Sequence, residues 1–520
     1  MHNRKALWYP TRLLDLGEPG ICAEHVRLII TQDDAPVSPY ATLSHCWGQA
    51  DLLKLTKSTM DEFREGIRIK NMPKTFQETV VVCRELQIRY LWIDSLCIMQ
   101  DEDDLSDWTR EASLMHKVYK LSHCNISASD AQDGTSGLFR PHDKSAMQPV
   151  KIRATVKDTA GELRTKDYYI EEPFYWYVNL AESHIHTRGW VVQERVMAPR
   201  VLHFARNQLF WECRQHSACE KYPQGVSHSF LTSANDKEHL DYEPYVEFAK
   251  CYGADAKQVA NCYNIWDSLV SYYSQASLTR STDRLIAISG MAKSLAVVSG
   301  DTYLAGLWRR NLESQLLWSV FDILDEPHTR AGEYCAPTWS WASIQGKVYM
   351  NRERFPAADL KVHIEHVKVV HDTIDPTGQI RDAYLDLQGE LKPISVAETP
   401  AHGHTCMHAI VHGSKWPLEA GSVDDLNQDV NFLTKASMEH RLFYMTFIAT
   451  EACVISMLLR LVEGDTNTFE RWGLIKLDLV EPDPGEYDFT VALLAELDED
   501  TKRRLPCLRY EGGKHTIRII

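Results

Sequence analysis

The sequence predicts an α/β fold for roughly its first 215 residues, a mostly parallel sheet with flanking helices, followed by a helical and then a mixed α+β C-terminal region. Three observations carry this expectation. Short apolar runs alternate with segments of helical period between residues 40 and 213, the pattern of strands joined by helical crossovers. One of those runs, Ile88 to Ile98, is too apolar for a strand wet on one face, which is the texture of a strand covered on both sides. Beyond 215 the texture changes, first to polar residues, then to helical periodicity through 260–320, and from about 335 to shorter apolar runs broken by Gly, Pro and Asp.

Taken in order, residues 40–47 (Tyr-Ala-Thr-Leu-Ser-His-Cys-Trp) read as a buried first strand leaving into a loop at Gly48. Asn71 with Pro73 marks a helix start, and Phe76, Val80, Cys83 and Gln87 trace one side of a helix over about 73–87. The run 88–98 is the central strand and carries Asp94 at its C-terminal end. After the acidic loop 101–104, Ser106 or Asp107 caps a second helix, with Trp108, Ala112, Met115 and Tyr119 on one face and Glu111 at its edge. Cys124–Ser129 is a third strand. Residues 130–186 read as a long irregular insertion, with turn signals at Asp133-Gly134 and Ser136-Gly137. A short helix over Trp190–Met197, stopped by Pro199, precedes two strand-like halves of 201–213 around Asn207. The domain organisation expected is a lead-in at 1–39, a domain at 40–215, a helical extension at 216–345 and a mixed α+β region at 346–520.

Composition removes several classes. Fifty-six basic against 72 acidic residues leave a net charge of −16, so no positive field gathers nucleic acid or anionic lipid. The stretch 444–462 is the longest apolar one near membrane-span length, and it contains Glu451 and Arg460, so no membrane span is expected. The start, Met1-His-Asn-Arg-Lys-Ala-Leu-Trp-Tyr-Pro, has no apolar core of a secretory signal, which predicts a cytoplasmic protein. Thirteen scattered cysteines in mostly apolar surroundings suit reduced thiols rather than a disulfide framework. No Cys-x-x-Cys pair is present. Cys213 and Cys219 near His203 and His216, and His184 with His186, lack a regular ligand spacing, so no metal is expected. Neither a Gly-x-Gly-x-x-Gly helix start nor a Gly-Lys-Ser/Thr loop occurs, which argues against an ATPase, a kinase or an ordinary dehydrogenase, and no cofactor is expected.

Three segments together resemble the heterokaryon-incompatibility (HET) domain family: Tyr40-Ala-Thr-Leu-Ser-His-Cys-Trp-Gly48, Leu91-Trp-Ile-Asp-Ser-Leu-Cys-Ile98 with Trp108 and Glu111, and Arg188-Gly-Trp-Val-Val-Gln-Glu194. Tyr303-Leu-Ala-Gly-Leu-Trp308, Gln315-Leu-Leu-Trp318 and Ala336-Pro-Thr-Trp-Ser-Trp-Ala-Ser343 resemble segments that often follow this domain in fungal members. The resemblance implies a role in fungal non-self recognition and programmed cell death. It further implies a distant likeness to the Toll/interleukin-receptor (TIR) fold, some members of which cleave the nicotinamide glycosidic bond of NAD with one glutamate. That family places its glutamate four residues after a tryptophan in the helix following the third strand, and Trp190 and Glu194 have this spacing. Val191 stands where that tryptophan is usually followed by cysteine.

The resemblance makes Glu194 the candidate catalytic residue, since a carboxylate beside a ribose stabilises oxocarbenium-like charge and guides water to it. The alternative is that Glu194 pairs with Arg188, Arg195 or Arg200 to tie its helix down. Asp94, at the end of a central strand, and Ser44 and His45, at the end of the first, fall on the rim where open α/β sheets collect ligand groups. Trp47 and Trp190 are the tryptophans expected beside a pocket, and Trp92 and Trp108 are expected in the core. Adjacent residues of a strand face opposite ways, so His45 and Cys46 form no dyad. His45 with Cys97 or Cys124 is the remaining thiol pairing, set against the habit of buried thiols to pack rather than react. Three readings stay open: an effector that cleaves NAD, a non-enzymatic module working through protein partners or self-association, and an accessory protein of a biosynthetic gene cluster.

Overall fold

A computed structural model of the chain describes residues 8–21, 23–48, 52–141, 148, 150–157, 159, 161–170, 175–226, 246, 254–320, 328–353, 355–401, 404–418, 422–425, 441–482 and 484–520. It divides into two units, Met1–Pro244 and Tyr245–Ile520.

The first unit enters its sheet earlier than the sequence motifs do. Strands β1 (Arg12–Asp15) and β2 (His25–Ile30) pair antiparallel, and β3 (Tyr40–Ser44) follows as the expected first strand. Helix α1 (Met60–Glu65) leads into the two-residue strand β4 (Ile67–Arg68), which pairs with β2. Helix α2 (Lys74–Glu85) fills the expected 73–87 segment, with Pro73 rather than Asn71 in the capping position, since Asn71 closes a preceding 3-10 turn. The apolar run at 88–98 is a strand only over β5 (Tyr90–Ile93). Asp94 ends it by turning its Oδ1 onto the Ser95 amide (2.7 Å) and opening the one-turn helix α3 (Asp94–Cys97). Helix α4 (Ser106–Lys120) starts without a side-chain cap, because Asp107 is held elsewhere: its carboxylate takes the Arg12 guanidinium at 2.8 and 3.0 Å and the Met99 amide at 2.9 Å. Ala112, Met115 and Tyr119 are buried as expected, and so is Glu111, which accepts from Thr11 Oγ1 at 2.8 Å.

Strand β6 (Cys124–Ser127) is followed by a segment more ordered than the sequence suggests. Within it β7 (Val150–Lys157) and β8 (Leu163–Ile170) form a two-stranded antiparallel ribbon. Helix α5 (Gly189–Met197) and strands β9 (Arg200–Phe204), β10 (Leu209–Cys213) and β11 (Ser217–Cys219) complete the unit.

Nine strands form one sheet in the order β11-β10-β9-β6-β3-β5-β1-β2-β4. Its centre is parallel, β5 with β3, β3 with β6 and β6 with β9, while every pairing outside that block is antiparallel. The sheet is therefore mixed rather than mostly parallel, because short hairpins at both flanks need no crossover. Numbered along the chain, the four parallel strands lie in the order 2-1-3-4. This is a doubly wound order with its switch point between β3 and β6.

The second unit begins with a helix, Ala256–Tyr273, opened by a reciprocal capping box between Asp255 and Gln258. The helix Ser289–Ser299 stops at Gly300, which takes the left-handed conformation. Trp266, Tyr303 and Trp308 meet edge to face with centroids 5.4–5.7 Å apart, and the Gly306 carbonyl accepts both Trp266 Nε1 (3.1 Å) and Trp341 Nε1 (2.7 Å). Trp308, Trp318, Trp339 and Trp341 are fully buried, so the tryptophan-bearing motifs of 303–343 build a core. An eight-stranded mixed sheet over His363–Ile519, a three-stranded sheet over Ser395–Pro417 and helices Pro484–Leu494 and Glu499–Arg504 complete this unit. The apolar stretch at 444–462 lies in a hairpin of this sheet, and among the described residues no helix is long and apolar enough to cross a membrane.

Candidate functional site

Parallel register aligns the carboxyl ends of three neighbouring strands. Ser44 stands level with Ser127 across β3 and β6, and Leu43 stands level with Ile93, which puts Ser44 and Asp94 at one height on the rim. Gly48 shapes the loop that leaves β3: its φ is +61°, and a Cβ there would meet Asp133 Cβ at 2.4 Å. Only glycine fits both constraints.

Alternation along β3 sends Thr42 and Ser44 to one side and His45 to the other. On the first side a buried polar cluster forms. Thr42 Oγ1 donates to Asn125 Oδ1 (3.0 Å), Asn125 Nδ2 donates to Ser44 Oγ (2.9 Å), and Ser44 Oγ donates to the Glu194 carboxylate. The Tyr119 phenol of α4 faces the same carboxylate and Ser44. On the other side His45 meets Phe76 edge-on at 4.9 Å, and its Nδ1 lies 3.6 Å from Asp94 Oδ1. Trp47 Nε1 donates to Asp94 Oδ2 at 2.9 Å. Asp94 thus holds Trp47 and lies beside the His45 ring, and its charge acts on Glu194.

Glu194 is 6% exposed, and burial pushes its carboxyl up from 4.5 to about 7. The Ser44 hydroxyl opposes that rise, the Asp94 charge adds to it, and Arg188 and Tyr119 oppose it. Among the described residues no basic nitrogen lies within ion-pair distance of Glu194, and the three neighbouring arginines are committed elsewhere. Arg188 donates to the His45 carbonyl, and Arg200 donates to the His123 carbonyl at 3.0 Å. Arg195 grips Glu212 at 2.6 and 2.8 Å. His45 stays neutral, since burial lowers it to about 4 despite Asp94.

Burial raises Cys46, and it raises Cys97 and Cys124 to about 12, so none supplies a thiolate at neutral pH. His203 hydrogen-bonds Glu212 Oε2 at 3.0 Å and Ser129 Oγ at 3.2 Å inside the Arg195–Glu212 network, with all four residues buried. Among the described residues no group of three or more His, Cys, Asp or Glu is arranged to hold a metal ion.

Of the residues singled out in the sequence, Ser44, His45, Trp47, Asp94 and Glu194 gather on this rim. Trp190 stands half-buried on α5, with its ring edge-on to Trp108 of α4 at 6.3 Å. Asn125 and Tyr119 were not expected at the site. Asn125 did leave a signal, an amide inside the apolar run of a central strand, where an unpaired polar group is costly.

Fold and site together define a doubly wound α/β domain with a carboxyl cluster at its switch point. Residues 40–194 match the family model described as "Heterokaryon incompatibility protein (HET)". Residues 40–194, which lie in the first unit, carry the match to the heterokaryon-incompatibility domain. No curated protein and no solved structure matches the chain.

Proposed function

We propose that this heterokaryon-incompatibility domain is a cell-death effector that cleaves the nicotinamide N-glycosidic bond of NAD at the Ser44–Asp94–Glu194 cluster. The observation that carries the proposal is a nearly buried carboxyl, with no ion-pair partner among the described residues, at the switch point of a doubly wound sheet. Such crevices, at the carboxyl ends of the strands, are where these sheets hold nucleotides. The strand order 2-1-3-4 supports the TIR-like reading, and so does the four-residue spacing of Trp190 and Glu194.

In the reaction, the bond from ribose to nicotinamide breaks with its electron pair leaving on the ring nitrogen, which needs no proton to depart. Positive charge grows on the ribose. The ionised Glu194 carboxylate stabilises that charge and takes a proton from the incoming water, while Ser44 and Tyr119 hold the carboxylate in place. Asp94, part-exposed at the rim, meets the ribose hydroxyls.

The burial of Ser44 and Glu194, at 1% and 6% exposed, favours a second reading in which the cluster only welds α5 to the sheet and the domain acts through protein contacts. The two are separated by incubating the purified full chain with NAD under crowding and following nicotinamide release, with Glu194→Ala as comparison after both are shown to fold. Release that disappears in Glu194→Ala supports the hydrolase. Release from neither protein supports the interaction module.

A further inference from the structure

Among the described residues four arginines are buried, Arg12, Arg195, Arg284 and Arg471. Three hold a carboxylate: Arg12 takes Asp107, Arg195 takes Glu212, and Arg471 lies 3.3 Å from Asp424. Arg284, in the second unit and 4% exposed, holds none, and its Nε and Nη2 have no hydrogen-bond partner among the described residues. Taking a guanidinium out of water is costly unless an opposite charge or hydrogen bonds replace the water, and arginine does not escape by losing its proton. The surroundings of Arg284 offer no such replacement. It ends the run Ser281-Thr-Asp-Arg, and its guanidinium stands 5.7 Å from the centroid of the Trp341 ring. Near the outer limit of cation–π attraction, that ring offsets only part of the cost. The indole is itself fixed, since its Nε1 donates to the Gly306 carbonyl and Tyr273 packs edge-on against it with centroids 6.0 Å apart. The Tyr273 phenol donates to the Arg284 carbonyl at 2.7 Å. Tyr273 and Cys335 are the ionisable groups whose charges would reach the guanidinium, and burial pushes both up, so both are neutral at neutral pH. Cys335 directly follows three exposed residues, Gly332, Glu333 and Tyr334, which sets the cluster close beneath the surface.

The unpartnered atoms form one edge of the guanidinium. Nε–H and one Nη2–H point the same way and suit the two oxygens of a single oxyanion. The same edge grips both oxygens of a carboxylate in Arg195–Glu212 (2.8 and 2.6 Å), Arg89–Asp15 (2.8 and 2.9 Å) and Arg518–Asp386 (2.8 and 3.0 Å). We infer that Arg284 anchors a binding site for a small oxyanion, a ligand's carboxylate or phosphoryl group taken bidentately on the Nε–Nη2 edge while the Trp341 ring packs against the guanidinium. Such a ligand supplies the counter-charge that the fold withholds. The site lies in the second unit and asks nothing of Glu194, so it stands whether or not the first unit cleaves NAD.

The test is titration calorimetry of the full chain with inorganic phosphate and, separately, succinate, against chloride at the same ionic strength, with circular dichroism confirming that each variant folds. Saturable binding to wild type is expected, phosphate marking a phosphoryl site and succinate a carboxylate site. Arg284→Lys keeps the charge but loses the fork, and Arg284→Met loses both. Each is expected to weaken the binding at least about tenfold, because two charge-assisted hydrogen bonds are disrupted. Thermal melts add a readout that a merely structural arginine would not give. In chloride alone Arg284→Met is expected to melt no lower than wild type, since it removes a buried charge without a partner. The bound anion is expected to raise wild type and Arg309→Met, at an exposed arginine, by more than it raises Arg284→Met. A wild type that binds neither anion overturns the inference, and so does binding that Arg284→Lys and Arg284→Met leave unchanged. An Arg284→Met variant that melts well below wild type in chloride and gains as much from the anion as wild type does overturns it too.

Discussion

Replacing Glu194 by glutamine removes a charge that the folded state holds at a cost, and the size of the effect follows from the site. The carboxyl ionises near 7 in the fold and near 4.5 when free. The folded state therefore binds the proton more tightly, and stability is lost as pH rises through that interval. The penalty is absent below about 4.5, grows between 4.5 and 7, and is constant above about 7. At its full extent it is about 3 kcal/mol, undiminished by solvent because Glu194 is almost wholly buried. Glutamine keeps the shape and can still bond Ser44 and Tyr119. Glu194→Gln is therefore expected to match wild type near pH 4.5 and to melt about 6–10 °C higher at pH 8 in the transition of the first unit. Thermal melts from pH 4.5 to 8 read this, and amide exchange of helix α5 gives the local readout. A variant less stable than wild type at pH 8, or a difference that does not change with pH, refutes the reasoning.

Other expectations follow from the same contacts. Nicotinamide release should rise with pH through about 7 as Glu194 ionises; Ser44→Ala, which removes a hydrogen bond to the carboxylate, should move that midpoint up, and Asp94→Asn, which removes a like charge, should move it down. Unmoved midpoints in both variants would detach the activity from this cluster. Arg195→Met strands Glu212 and His203 without their cation and should cost about 3–5 kcal/mol in chemical denaturation, whereas a loss below about 1 kcal/mol would show the pair to be dispensable. Cys97 and Cys124, with thiols raised to about 12, should resist alkylation at pH 8 in the native chain and label only after denaturation, as read by peptide mass spectrometry.

The parallel centre of the first unit was legible because its strands are covered on both sides and read as unbroken apolar runs between helical periods. The flanks were not. Arg12-Leu-Leu-Asp is too short to stand out, and its polar ends are buried only because Arg89 reaches Asp15 and Asp107 reaches Arg12. The ribbon over 150–170 does alternate, Val-Lys-Ile-Arg-Ala-Thr-Val, yet no packing partner in sequence marks it as a strand pair. At the site, Ser44, Asp94 and Glu194 were readable from position at strand ends and from motif. The partner expected for Glu194 was not, since three arginines stand within six residues of it and only tertiary structure assigns each to another acceptor. Asn125 and Tyr119 reach Ser44 and Glu194 from neighbouring elements, a contact that no local spacing encodes.

The central claim is that burial makes Glu194 ionise near neutrality, with no ion-pair partner among the described residues. Carbon-13 labelling of glutamate side chains, with the Glu194 carboxyl assigned by difference from Glu194→Gln, lets its titration be followed directly in the full chain. A midpoint near 7 is the predicted result. A midpoint below about 4, the range of an ion-paired carboxylate, would contradict the claim and place Arg188 on Glu194 as a structural pair.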